Sequence, residues 1–131
     1  MANWVFESST GKMFRPDGSL AGTGYAGGNC GKNPEGINNP KMQNVKLIGP
    51  LPEGFYTFGG LIACDPHLGL YVYPLMPDHD NIMFGRGGFY NHGDTKTPRC
   101  ASEGCIVMSY AIRKEMHESP CQRLQVIACK R

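Results

Sequence analysis

Up to His92 the apolar residues fall in short runs broken by glycine, proline and small polar residues, the rhythm of strands rather than helices. Trp4 to Glu7 and Lys12 to Arg15 are separated by Ser8-Ser9-Thr10-Gly11, which predicts a hairpin. Pro16-Asp17-Gly18 is a turn, because proline presets its backbone angle and glycine accepts a positive one, and Leu20 to Tyr25 follows as a third strand. Ala26 to Pro40 is rich in glycine and poor in apolar residues, so it is expected to be a surface loop. Gly49-Pro50-Leu51-Pro52-Glu53-Gly54 is another turn leading into Phe55 to Phe58. Leu68 to Leu75 alternates like a strand, and Phe84 and Phe89 to Asn91 predict further strand ending at His92.

One segment is helical. In Tyr110 to Glu118, Ile112 and Met116 stand four apart on one face, Ser109 is placed to cap the start, and Ser119-Pro120 stops it. Leu124 to Cys129 returns as a strand. No repeat, linker or low-complexity tract divides the chain. The expected architecture is mainly β: a single domain over residues 1–131, mostly antiparallel, with one short helix after Cys105.

Composition agrees with this picture. A chain of 131 residues fits one domain, and 18 glycines and 10 prolines are too many for a helical bundle. A net charge of +2 gives no field of the kind that nucleic acid binding requires. No apolar stretch approaches the length of a membrane span, and the N-terminus has no basic region followed by an apolar run, so no Sec-type signal is expected. Six cysteines permit at most two disulfides and one spare thiol if Cys105 is kept for chemistry.

The chemistry concentrates in Gly88-Phe89-Tyr90-Asn91-His92-Gly93-Asp94 and Ala101-Ser102-Glu103-Gly104-Cys105-Ile106. Thiol acyl transfer needs a thiolate, an imidazole in reach of it, and backbone donors aimed at the developing oxyanion. Cys105 supplies the first, His92 at a strand end the second, and the N–H groups of Gly104 and Cys105 the third. A nearby imidazolium lowers the cysteine's ordinary value of about 8.5.

The order His92, then Ser102-Glu103-Gly104-Cys105, resembles the signature of YkuD-type L,D-transpeptidases. Glu103 replaces the histidine usual before the glycine, and Val107 stands where Arg or Asn is common. The chain more closely resembles the L,D-transpeptidase-like antibacterial effectors of type VI secretion systems. His92-Gly93-Asp94 and Ala101-Ser102-Glu103-Gly104-Cys105-Ile106 carry that likeness, as do Gly22-Thr23-Gly24-Tyr25-Ala26-Gly27, Asn39-Pro40-Lys41-Met42, Gly49 to Tyr56 and Arg86-Gly87-Gly88-Phe89. It spans about Leu20 to Arg113, with Thr95 to Cys100 as an apparent insertion.

The resemblance implies a reaction on the tetrapeptide stem of peptidoglycan. Cys105 attacks the carbonyl of the third residue and expels D-alanine, and water or a D-amino acid resolves the thioester. No cofactor or metal is implied. The implied partners are the stem peptide, a type VI delivery component and a cognate immunity protein, and the implied place of action is the periplasm of rival bacteria.

Further residues are candidates at this site. Asp94 could orient His92, although a backbone carbonyl serves as well; Ser102 could hydrogen-bond near the thiol; Tyr25 could line the cleft; Arg86 could hold a stem carboxylate through its planar fork. Two other classes compete. His92-Gly93-Asp94 with Cys100 and Cys105 superficially matches a zinc hydrolase or deaminase, but the spacing of proline and cysteines differs. In a non-catalytic wall-binding module Cys105 would be structural and inert to alkylation.

Overall fold

The computed structural model describes residues 2–29, 31–94 and 104–129. Among them ten strands form one sheet. These are β1 (Trp4–Glu7), β2 (Lys12–Phe14), β3 (Leu20–Thr23), β4 (Tyr25–Ala26), β5 (Gly54–Phe58), β6 (Ile62–Asp65), β7 (Gly69–Pro77), β8 (Tyr90–His92), β9 (Ile106–Val107) and β10 (Arg123–Ile127), with one α-helix, α1 (Tyr110–Glu118), before β10. The strand order is β3-β2-β1-β10-β5-β7-β8-β9-β4, and β6 pairs with β7 off this path. The mainly-β domain with one helix after Cys105 is what the sequence predicts.

Alternation builds the core. Trp4, Leu124 and Tyr56 are in register across β1, β10 and β5, and all three are buried. Phe6 and Val126, in register two residues further on, are buried on the same face, as is Phe58 on β5, as the period of two requires. On α1, Met116 is fully buried and Ile112 packs against the same cluster. The Ser109 hydroxyl caps the helix by accepting from the Ile112 N–H at 3.3 Å.

Several sequence expectations need correction. Gly24 interrupts the predicted Leu20-to-Tyr25 strand, so that Leu20–Thr23 stays with β2 while Tyr25–Ala26 pairs with β9. A side chain at Gly24 would collide with the Val107 carbonyl, which explains why the chain can change neighbours there. Phe84 lies in a turn at φ +55° rather than in a strand. Ala26, assigned to a surface loop, is fully buried, and two short 3₁₀ turns at Pro34–Gly36 and Pro40–Met42 occupy the segment after it.

β7 is the hinge of the sheet. Its end Leu75–Pro77 pairs with β5, Tyr73 and Pro74 pair with β8, and its start pairs with β6. Two neighbours run parallel, β1 with β10 and β8 with β9. Parallel strands cannot be joined by a tight hairpin and need a crossover of about a dozen residues or more. β8 and β9 are parallel neighbours, so no tight turn joins them and the segment between His92 and Cys105 makes the crossover.

Candidate active site

β8 and β9 carry the predicted nucleophile and base. Asn91 is in register with Ile106 and His92 with Val107, while on the other edge Tyr25 of β4 is in register with Val107. Because side chains alternate across a strand, Asn91, Ile106 and Ala26 share one face, which is the buried core. His92, Val107 and Tyr25 share the opposite face, and Cys105 lies just before β9, two residues ahead of Val107. The register thus brings the segment that begins at Cys105 beside the strand that ends at His92, and no hydrogen bond among the described residues reaches His92 Nε2.

Cys105 is partly exposed at the entrance to β9. Its Sγ accepts from the Tyr90 N–H at 3.4 Å and lies 4.0 Å from the Gly88 carbonyl. The Tyr90 donor favours the thiolate, whereas the Gly88 carbonyl, which can only accept from the S–H, favours the thiol. Gly104, just before it, has φ +125°, and a Cβ there would fall 2.6 Å from Arg86 Nη2 and 2.7 Å from Phe89 Cε1. Only glycine lets the chain pass between those two groups. The Gly104 carbonyl is held by the Leu51 N–H at 3.0 Å, which fixes the peptide that leads into Cys105.

His92 is 1% exposed. Its Nδ1 is 2.9 Å from the Gly93 carbonyl, and a carbonyl can only accept, so Nδ1 carries the proton in this contact. The neutral ring then presents a bare Nε2, which is buried and makes no hydrogen bond to a described residue. Burial pushes the His92 pKa down, opposed by the Gly93 carbonyl and assisted by the positive charge of Arg113. At neutral pH the imidazole is an uncharged base. The Met108 N–H, bonded to the His92 carbonyl at 3.0 Å, continues the ladder beyond β9.

The other sequence candidates take definite places. The Tyr25 hydroxyl donates to Asp94 Oδ1 at 2.7 Å, tying β4 to the segment after His92. Gly93 supplies the carbonyl on Nδ1, and the Asp94 carboxylate is a further influence on His92 through its charge. Arg86 is 7% exposed and donates to the carbonyls of Gln43 at 2.5 Å, Pro50 at 2.8 Å and Gly49 at 3.0 Å. Three of its donors therefore clamp the 43–50 loop, and its guanidinium stacks over Phe89 with Cζ 5.2 Å from the ring centre. Ser102, Cys30 and the segment Thr95 to Cys100, expected to be an insertion, lie outside the described residues.

Sequence reasoning missed the Tyr90 N–H, Arg113 and Asn91, and left open which backbone carbonyl meets His92. The Tyr90 N–H and the Gly93 carbonyl are backbone groups with no residue signature. Arg113 is buried under Gly93, donating to the carbonyls of Met108, Leu70 and Tyr71. It stands beside Ile112 on the helix face that packs inward, where a charged residue reads as solvated. Asn91, buried on the core side, donates to the Tyr73 hydroxyl at 2.9 Å and to Met116 Sδ at 3.5 Å, fixing β8 against β7 and the helix. Among the described residues no three His, Cys, Asp or Glu side chains cluster to hold a metal ion, and no helix is long and apolar enough to cross a membrane. Cys64 and Cys121 are free thiols.

Residues 28–129 match a family model described as the Tlde1 domain. Comparison with curated proteins and with solved structures gave no match.

Proposed function

We propose, from the premise that this chain belongs to the Tlde1 domain family, that it is a cysteine acyl-transfer enzyme acting on the tetrapeptide stem of peptidoglycan. The family is one of type VI secretion effectors, enzyme-like toxins delivered into target cells. L,D-carboxypeptidase or L,D-transpeptidase activity, with the periplasm as the place of action, is the finer reading. A delivery component and an immunity protein are its expected partners. What supports it is the parallel pairing of β8, which ends at His92, with β9, which begins just after Cys105, and the anchoring of His92 Nδ1 on the Gly93 carbonyl.

The steps follow from that arrangement. His92 Nε2 takes the thiol proton, and Cys105 Sγ bonds to the carbonyl carbon of the third stem residue. The N–H groups of Gly104 and Cys105 are the proposed donors to the oxyanion. Collapse breaks the bond to D-alanine, whose amine takes the proton from His92, leaving a thioester on Cys105. Water then gives the tripeptide, or the amine of a D-amino acid gives an exchanged tetrapeptide, and the thiol is restored. Ser102, Tyr25 and Asp94 are proposed to border the cleft, and Arg86 to act from behind it.

The test is incubation of the purified protein with tetrapeptide and tripeptide stems, followed by mass analysis. Tetrapeptide is expected to yield tripeptide and D-alanine, and added D-methionine an exchanged tetrapeptide of altered mass. Tripeptide, which presents a free carboxylate at the attacked carbon, is expected to remain intact. Cleavage between sugar and stem, or before the third residue, with the terminal D-alanine untouched, would overturn the L,D-specific reading.

A further inference from the structure

Cys105 is preceded by a glycine that touches a buried cation. Nη2 of Arg86 would lie 2.6 Å from a Cβ on Gly104, so the guanidinium lies against the backbone that leads directly into the nucleophile. It is held there by three fold-fixed acceptors, the carbonyls of Gln43, Gly49 and Pro50, and by the face of Phe89. Neutral carbonyls orient the charge without cancelling it as a carboxylate would. The 43–50 loop is in turn joined to the nucleophile's peptide through the bond from the Leu51 N–H to the Gly104 carbonyl.

We infer that Arg86 is a positioning residue for the nucleophile: its buried guanidinium, locked against Gly104 by loop carbonyls, supplies fixed positive charge that stabilises the Cys105 sulfur as thiolate when its proton leaves. This rests on the reading of Cys105 as nucleophile and adds a role that does not involve touching substrate. Burial lowers the Arg86 pKa, and the nearby Tyr56 and, to a lesser extent, Cys105 oppose that shift. Starting from so high a value, a guanidinium stays protonated.

The other charged and titratable groups on the elements that meet at Cys105 are few among the described residues. They are Tyr90 and His92 on β8, Asp94 after it, Tyr25 on β4, Arg113 of α1 behind Gly93, and Lys46 and Glu53 on the 43–53 loop, the last two exposed. His92 is pushed toward its neutral form by burial, so it contributes little positive charge before catalysis. Tyr56 of β5 faces the arginine as well, its burial pushing its pKa up so that the phenol is neutral, and among the described residues Arg86 is a cation lying against the thiol's own peptide.

The experiment measures alkylation of Cys105 by iodoacetamide against pH, read at the Cys105 peptide by mass spectrometry, in wild type, Arg86→Gln, Arg86→Lys and His92→Ala. No peptidoglycan is present, so failure of the stem-peptide reading leaves this test intact, and failure here leaves that reading standing. In wild type the midpoint is expected below the ordinary thiol value of about 8.5. Arg86→Gln is expected to raise it by about one unit or more. Arg86→Lys, which keeps the charge but not the fork, is expected to stay closer to wild type than to Arg86→Gln. Equal midpoints in wild type and Arg86→Gln, or an equal rise in both arginine variants, would overturn the inference. If Arg86→Gln does not fold, His92→Ala decides. With the imidazole gone the midpoint should still lie below about 8.5, and a midpoint at or above it would show that Arg86 supplies nothing.

Discussion

Gly104→Ala tests the architecture behind the nucleophile. The residue sits at φ +125°, outside the range that L side chains ordinarily adopt, and such strain costs about 1–3 kcal/mol. The added methyl would also meet Arg86 Nη2 at 2.6 Å and Phe89 Cε1 at 2.7 Å. Neither neighbour gives way cheaply, since Arg86 is held by three carbonyls and Phe89 is 4% exposed. Overpacking of that kind costs a further 1–3 kcal/mol or so. The sum is about 2–6 kcal/mol. For a domain of this size each kcal/mol lowers Tm by roughly 3–5 °C, so a fall of at least about 6 °C is expected. Two controls divide the sum. Gly18, at φ +92° with nothing near its would-be Cβ, isolates the backbone part, while Gly60, with open space and no positive φ, should be near neutral on substitution by Ala. Thermal unfolding followed by circular dichroism gives the ranking Gly104→Ala worst, Gly18→Ala intermediate and Gly60→Ala least. If Gly104→Ala melts with Gly60→Ala, the account of how Cys105 is presented is wrong.

Three further outcomes follow from the same contacts. Because the folded-state pKa of His92 is depressed, folding favours the neutral ring; this stability is fully present above the unfolded value of about 6.5 and is lost as pH falls from there through the lower folded value. Urea unfolding at pH 7.5 and 5.5 should show a larger loss in wild type than in His92→Gln, and equal losses would contradict the burial argument. Asn91→Ala removes the 2.9 Å bond to the Tyr73 hydroxyl in the core and should cost about 1–3 kcal/mol, whereas an unchanged urea midpoint would mean that this bond does not fix β8. The Tyr25 hydroxyl and Asp94 should show a coupling of about 1 kcal/mol or more in a Tyr25→Phe, Asp94→Asn double-mutant cycle, and additive effects would deny their contact.

Much of the fold can be read from local chemistry. The helix is legible because its signals coincide: a cap at Ser109, an apolar pair at Ile112 and Met116, and a stop at Ser119-Pro120. The first hairpin is legible because Gly11 and Gly18 mark turns that need positive φ. Pairing between distant segments is not, since the parallel joining of β1 to β10 and of β8 to β9 depends on closure of the whole sheet. β6 was missed because Ile62 to Asp65 carries only one strongly apolar residue.

The site divides the same way. Cys105 and His92 stand out as residue types in a recognisable order. What arranges them is a glycine passage, a carbonyl and an N–H, none of which has a side chain to read. Arg86 and Arg113 show the limit most plainly. A fork suited to a substrate carboxylate is equally suited to loop carbonyls, and only the fold decides which it meets.

The central claim is that Cys105 and His92 act as one unit, and the most direct measurement is a kinetic double-mutant cycle on tetrapeptide stems. Cys105→Ala should lower turnover by about a thousandfold or more, His92→Ala nearly as much, and the two together scarcely further, because removing either member already disables the pair. Retained turnover in Cys105→Ala, or losses that multiply in the double variant, would contradict the account.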